Sequence, residues 1–488
     1  MPATVYRPGS QFVREASPPA GRFPTDVAVG FMVGFAEKGP TVATLLTSEQ
    51  DYETVYGGGS GVYATLHDSV AQWFAGPHGQ PLWVGRVVGP TPVAASVTIV
   101  DGSSDDSITF TASSVGAWAN GATGGVDVVV ANATSGASKR KITITVDDTA
   151  VETYDELADV TAIVAALDDS DYGSATDEGG ALPAVGTYPL TAGTDDNGNA
   201  TDASWATALD LLGPELGTGR VAAPGRTSST AHAQLNTHAI ATNRVPFFDV
   251  ASSASVSAAT AARDAIKAIP DLRGGIARDW TYAVVDGVQK AVPGSVFAMA
   301  TSAVSLSSST ARERASWPFQ DAPWVAGLVD ELTESERDEL NTNGVLTART
   351  NPTSRLVQMY SWRAATQDVN WTNLAHHDLW AEVEAETRAI QDSYIGQSLT
   401  IPVIEEATGA ISSTVLAPRF TDGLLDGRSP DGATNEARYA YSVDGGPTVN
   451  TPTTIDDRVM NHRLPIRPSE HVELSRVVTT KIPITGNV

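Results

Sequence analysis

The sequence predicts a mixed α/β (α+β) protein of several domains: an α/β core, an inserted β-rich domain and an extended strand arm at each end. Three observations predict it. Strand and helix patterns alternate on both sides of a central stretch. That stretch, residues 92–200, shifts to Ser, Thr, Gly, Asp and Val. The two ends carry strand patterns with no partner nearby in the chain.

Residues 1–25 read as an arm for strand exchange. Val5 and Tyr6 precede Pro8-Gly9, Phe12 and Val13 follow, and Pro18-Pro19 detaches the segment from what comes next. The first part of the core is 26–91. Residues 27–36 read as a buried strand. Thr47 with Gln50 forms a capping box ahead of Tyr52, Val55 and Tyr56 at helical spacing. Gly57-Gly58-Gly59 stops that helix. Leu66, Val70, Trp73 and Phe74 line one face of a second helix that Gly76-Pro77 closes, and 81–88 is the next strand.

The insertion, 92–200, carries strand patterns at 93–100, 107–112, 125–131 and 141–146, with one helix expected over about 154–167. The core resumes over 201–330. Strands at 220–223, 245–250 and 280–285 alternate with helices at 230–242 and 257–269, which argues for a parallel or mixed sheet with right-handed crossovers.

In 331–470, Thr333 and Glu336 make a capping box for a helix that Gly344 ends. Strands follow at 345–349 and 356–360. The clearest helix places Leu379, Val383, Ile390 and Tyr394 on one face, with Glu382, Glu384, Glu386 and Arg388 on the wet side. Beyond it the chain reads as strand and turn. In the last arm, 471–488, Val472, Leu474, Arg476 and Val478 alternate with Glu473, Ser475 and Val477, and the pattern runs on through Ile482 and Ile484. Unpaired apolar strands at both ends suit addition to neighbouring subunits. The residues named for that exchange are Val5, Tyr6, Phe12, Val13, Val478, Ile482 and Ile484.

Composition narrows the function. The 488 residues hold 57 Asp and Glu against 31 Lys and Arg, a formal charge of -26, which repels nucleic acid and anionic membrane. Cysteine is absent, so disulfides, thiol catalysis and cysteine-type zinc sites are excluded. The longest apolar run is about ten residues against the roughly 20 of a membrane helix. The N-terminus lacks the basic-then-apolar plan of a secretion signal.

Candidate chemical sites each meet a duller reading. His376, His377, Asp378 and Glu382 form the best metal-like group, but a zinc helix needs histidines four apart. Gly57-Gly58-Gly59-Ser60-Gly61 lacks the Lys-Ser/Thr of a phosphate loop and follows a helix. Asp195-Asp196-Asn197-Gly198-Asn199 resembles half a calcium loop, with Ala206 where the bidentate Glu belongs. No cofactor and no metal are expected. Arg312 and Arg314, a basic spot, and Glu382 and Glu386, on the acidic helix face, are candidates for contact with a partner surface.

Taken in order, these segments resemble the contractile tail sheath family of bacteriophages and phage-tail-like particles. Tyr6-Arg7-Pro8-Gly9 is similar to the family's arm. The 29–40 run, then Tyr52 to Gly57, Trp73-Phe74 and 82–88, match its order of strand, helix and strand. The 112–121 stretch is similar to its Gly-x-Trp-Gly-Asn element, with Ala119 in place of the Gly. Residues 151–157 resemble its E-x-Y-x-x-L helix start. Leu340-Asn341-Thr342-Asn343-Gly344-Val345 is similar to Leu-Asn-x-x-Gly-Val. Arg363 keeps the Arg of Gly-x-Arg-Thr, with the Thr displaced, and 468–472 fits Pro-x-Glu-x-Ile/Val.

The resemblance implies a mechanical, non-enzymatic subunit. It would form hexameric rings stacked helically around an inner tail tube, between baseplate and tail terminator proteins, in a virion tail assembled in the host cytoplasm. Contraction would drive the tube through a cell envelope. Residues 331–470 would then face the tube and 92–200 would face outward. A tailocin or injection-system sheath is the near alternative. An α/β hydrolase-like enzyme with a β accessory domain and a glycan-binding surface protein are the alternatives of other classes; the first needs a catalytic motif and the second a secretion signal.

Overall fold

In the strand Gly30–Phe35, Phe31 and Val33 enter one hydrophobic core and Met32 enters another on the opposite face. A strand buried on both faces belongs inside a parallel sheet covered by helices. The computed structural model, which describes residues 28–76, 79–121, 124–307 and 320–470, shows that sheet. It has seven strands, in the order Val345–Leu346, Gly275–Ala277, Arg244–Asp249, Gly219–Ala222, Gly30–Phe35, Leu82–Val87, Thr44–Leu46. All neighbours are parallel except the last pair, where Thr44–Leu46 runs antiparallel to Leu82–Val87.

The same alternation recurs across the sheet. Val221, Phe248, Ile276 and Val345 pack on the Phe31 side; Ala222, Phe247, Ala277 and Leu346 pack on the Met32 side. The first side is covered by the helices Asp202–Asp210, Ser229–Thr242, Val256–Asp264 and Glu334–Thr342. The second is covered by Ala64–Ala75, Gly294–Leu306 and the start of Leu374–Asp392. Gly30 lets the helix Ala64–Ala75 lie close: a Cβ there would meet the Trp73 ring at 2.8 Å.

Side-chain caps start several helices. Thr333 and Glu336 form the expected capping box. The first helix, Glu49–Tyr56, is capped one residue later than predicted. Ser48 accepts from the Asp51 N–H, and Thr47 instead donates to the Asp51 carboxylate.

The stretch between Leu82–Val87 and Gly219–Ala222 forms its own layers. One sheet orders Gly186–Pro189, Val126–Ala133, Gly136–Val146 and Thr149–Leu157. Another orders Ala94–Val100, Asp106–Val115 and Gly173–Asp177. Their inward residues, with Ile163 and Leu167 of the helix Val160–Leu167, make a core drawn from Ala95 to Leu190. The helix expected over 154–167 is half strand. Asp147 and Asp148, both at positive φ, turn Gly136–Val146 back into Thr149–Leu157, and the helix waits for its cap at Asp159.

Three further expectations are corrected. Thr281–Val285 is not in the parallel sheet; it forms an antiparallel sheet with Val288–Val292 and Gly327–Leu328. The strand expected at 345–349 is two short strands, Val345–Leu346 and Ala348–Thr350, in different sheets. Among the described residues after 395, helices that the strand-and-turn reading did not expect interrupt the turns and isolated bridges. Ile401–Ala410 continues through a π-helical stretch, Ile411–Leu416, into Ala417–Thr421, and two short helices follow, Ala437–Ala440 and Pro452–Asp456. Val383 of the long helix packs there against Val415 and Leu416. Among the described residues no helix is long and apolar enough to cross a membrane.

Candidate functional site

Sequence reasoning placed Glu382 and Glu386 on a wet helix face. The structure corrects this for Glu382, which is 6% exposed. Arg419, 37 residues later and itself buried, reaches both carboxylates: Nη2 to Glu382 Oε2 at 3.3 Å and Nη1 to Glu386 Oε2 at 2.7 Å. Glu386 is half-buried. These charges fasten the helix Leu374–Asp392 to the helical segment after it. Arg312 and Arg314, and the arm residues Val5, Tyr6, Phe12, Val13, Val478, Ile482 and Ile484, lie outside the described residues.

One turn earlier the same helix is tied to the sheet. Asp378 accepts from Arg220 Nη2 at 2.7 Å, and Arg220 Nε donates to Ser302 Oγ at 2.7 Å. Both members of the pair are buried. His376 lies 3.6 Å from Glu470 and its Nε2 accepts from Asn373 Nδ2, while His377 donates from Nε2 to the Trp371 carbonyl at 3.0 Å. The residues read as a metal-like group are therefore divided among separate partners.

A third buried arginine joins the insertion to the core. Arg86, on the strand Leu82–Val87, donates to the carbonyls of Ala36 (3.1 Å), Gly39 (2.8 Å), Glu37 (3.2 Å) and Val115 (2.9 Å). The first three belong to the core and the last to the insertion. Burial pulls its pKa down. The Asp195–Asn199 loop, read as half a calcium site, lies at the same junction. The Asp195 carbonyl accepts from Gly89 N–H at 2.8 Å, the Asp195 carboxylate accepts from the Tyr63 hydroxyl, and Asp196 holds the Thr91 N–H and hydroxyl. The glycine run at 57–59 is a helix stop: Gly57 has φ +83°, and Gly58 N–H donates to Glu37 at 2.8 Å.

A fourth, Arg244, stacks 3.5 Å from the centre of the Phe31 ring and donates to the Gly217, Leu212 and Gly213 carbonyls. Burial lowers it to about 9. Asp249, at the end of the strand Arg244–Asp249, accepts from the Ser295 N–H, the Ser295 hydroxyl and the Gly225 N–H. Burial pushes its carboxyl up to about 6. Ser295 opens the helix Gly294–Leu306, so the carboxylate sits at a helix N-terminus. His232 Nε2 meets the Arg226 and Asp249 carbonyls at 3.1 Å. The hydrogen bonds from Ser295 to Asp249 hold the end of the strand Arg244–Asp249 against the start of the helix Gly294–Leu306.

Sequence reasoning missed Arg86, Arg220 and Arg244 because an Arg within a strand reads as solvated. One signal was available. Arg220 and Arg244 each stand at the head of an otherwise apolar strand run, where a charge with no polar alternation is out of place.

The fold of this chain, a doubly covered α/β sheet interrupted by a two-sheet insertion, is similar to that of solved sheath proteins. Among solved structures, the sheath tail protein of Desulfitobacterium hafniense matches at 12% identity, with a TM-score of 0.58 over 90% of this chain and 93% of that one. The helical sheath of the anti-feeding prophage in its contracted state matches at 14% identity and 0.56, over 98% and 99%. The sheath complex of the extracellular contractile injection system PVC, also contracted, matches at 14% and 0.54, over 98% of both chains. No family model and no curated sequence matches this chain.

Proposed function

We propose that this chain is the structural, non-catalytic subunit of a contractile tail sheath. Subunits polymerise as hexameric rings stacked helically around an inner tail tube, with baseplate and tail terminator proteins at the ends. Contraction drives the tube through a cell envelope. The observation that carries this reading is the sharing of one fold along almost the whole length of both chains with sheaths solved in the contracted state.

In this reading residues 1–25 and 471–488 exchange strands with neighbours, 92–200 faces outward, and 331–470 faces the tube. Arg312, Arg314 and Glu386 are the proposed tube contacts. Assembly takes place in the host cytoplasm. Electron micrographs of the purified protein test the reading: hollow cylinders with helically stacked rings are expected, and a monodisperse monomer under all assembly conditions overturns it.

A second reading, the sheath of a contractile injection system, draws on the likeness to the PVC sheath. Neighbouring genes separate the two, because capsid and terminase genes accompany only a phage.

A further inference from the structure

The loop before the helix Leu374–Asp392 and the turn at 271–273 enclose a small pocket of about 190 Å³. That is below the roughly 300–1,000 Å³ of small-molecule sites and suits a single side chain. Trp371 and Trp380 form one corner of it, with ring centres 5.2 Å apart and planes at 89°. Trp371 also packs on His377, centre to centre 5.2 Å. Asp271 and Asp368 complete the lining with Thr366, Leu272 and Arg273.

The polar atoms here favour a donor. His377 is 7% exposed and donates from Nε2 to the Trp371 carbonyl, so its Nδ1 carries a lone pair. No partner for Nδ1 is found among the described residues. Burial lowers His377 to about 4, which keeps it neutral at ordinary pH. Asp271 is exposed. Asp368 uses Oδ1 for the N–H and side chain of Asn370. Arg273, the cation of the lining, is engaged by Asn243 and Glu384 at 3.5 Å each.

We propose that this pocket takes an arginine side chain from a second copy of this chain. Two aromatic faces at a right angle, two carboxylates and a neutral imidazole acceptor select a planar cation rich in N–H donors. The sequence has 25 Arg against 6 Lys. Arg355, Arg388 and Arg458 are exposed and have no carboxylate partner among the described residues, so they are the candidate donors. Between copies that each carry a charge of -26, such a contact is attractive where most others repel. The choice of a second copy rests on the polymer reading above; the cation preference does not.

The test uses the full chain. N-acetyl-L-argininamide is titrated into dispersed subunits while tryptophan fluorescence is followed, with N-acetyl-L-lysinamide and glucose as parallel probes. Saturable binding of the arginine probe is expected, weakened about tenfold in D271N/D368N with circular dichroism and Tm unchanged. No saturable signal, an equal signal in the variant, or a response to glucose in its place overturns the pocket assignment. In assembly, D271N/D368N and R355A/R388A/R458A should each raise the subunit concentration needed for cylinders about tenfold. Normal assembly by both variants overturns the second-copy occupant. A native chain that never assembles overturns the polymer reading, while probe binding still decides whether the pocket accepts arginine.

Discussion

Arg220 and Asp378, 158 residues apart, meet at 2.7 Å with both side chains buried, and this contact sets the long helix Leu374–Asp392 against the parallel sheet. Four residues on, Glu382 takes Arg419 of the helical C-terminal segment. One helix thus carries buried charge toward the core and toward the segment that follows. Such ties resist shear between the sheet and the C-terminal segment.

Removing Asp378 should therefore cost far more than an exposed carboxylate does. D378A takes the counter-ion from a fully buried guanidinium, a loss of about 3–5 kcal/mol. The paired replacement R220M/D378L should recover most of it, since an apolar pair of similar volume needs no counter-ion. Urea unfolding of the native chain and both variants checks the order. Equal loss in the two variants would show that packing, not charge, sets the cost.

Asp249 gives a pH signature. In the unfolded chain an Asp titrates near 3.9, whereas burial pushes Asp249 up to about 6. Between those values the native carboxyl keeps a proton that the unfolded one has lost. The native state then binds more protons, so this group's contribution is complete below about pH 4 and declines as pH rises through 6. Relative to D249N, the native chain should lose up to about 3 kcal/mol between pH 4 and 7. Thermal unfolding of both proteins across that range is the measurement; a difference that stays flat or grows with pH contradicts it.

Arg86 holds four carbonyls from two regions of the chain. R86M should leave them without their donor, at about 1–3 kcal/mol for each acceptor that water cannot reach. The insertion should loosen before the core does. Limited proteolysis should cut the variant near 89–92 and 194–200 at protease levels that leave the native chain intact. Cleavage spread evenly along the variant would mean that Arg86 supports the core instead.

The parts of the fold legible in the sequence are those where burial writes a local pattern. The strand Arg244–Asp249 shows through its apolar run, and the helix Glu334–Thr342 through Thr333 and Glu336. Gly275–Ala277 is three residues long and leaves no period to read. Thr149–Leu157 alternates loosely enough that Tyr154 and Leu157 also fit helical spacing. After the long helix, Pro402 and the β-branched Ile411, Thr414 and Val415 are locally unfavourable to helix. Yet Pro402 stands in the first turn, where its missing N–H costs nothing, and tertiary packing overrides the rest. Glu382 was misread because its partner, Arg419, is far away in sequence, and no local period reports such a pair.

The arms carry the next prediction. Deleting 1–21 or 477–488 should leave a folded, soluble subunit that no longer forms cylinders, because both segments read as strands without a partner within the chain. Circular dichroism and sedimentation together check it. A truncated chain that still forms long cylinders would count against strand exchange.

Salt would separate the forces that hold the proposed polymer. Each subunit brings a formal charge of -26, so a lattice packs many like charges closely. Repulsion must be offset by apolar strand pairing and by local arginine–carboxylate contacts. Screening confines exposed charge effects to about 8 Å at physiological ionic strength. Net repulsion acts over longer distances than a single contact, so moderate salt should weaken it first. Assembly should then be poor at very low ionic strength and improve with moderate salt or divalent cations. High salt should not dissolve cylinders already formed, because paired strands do not depend on charge. Sedimentation of subunits across a salt series distinguishes the cases. Assembly that falls steadily with added salt would show that attractive ion pairs dominate the cohesion, and strand exchange would then be the lesser force.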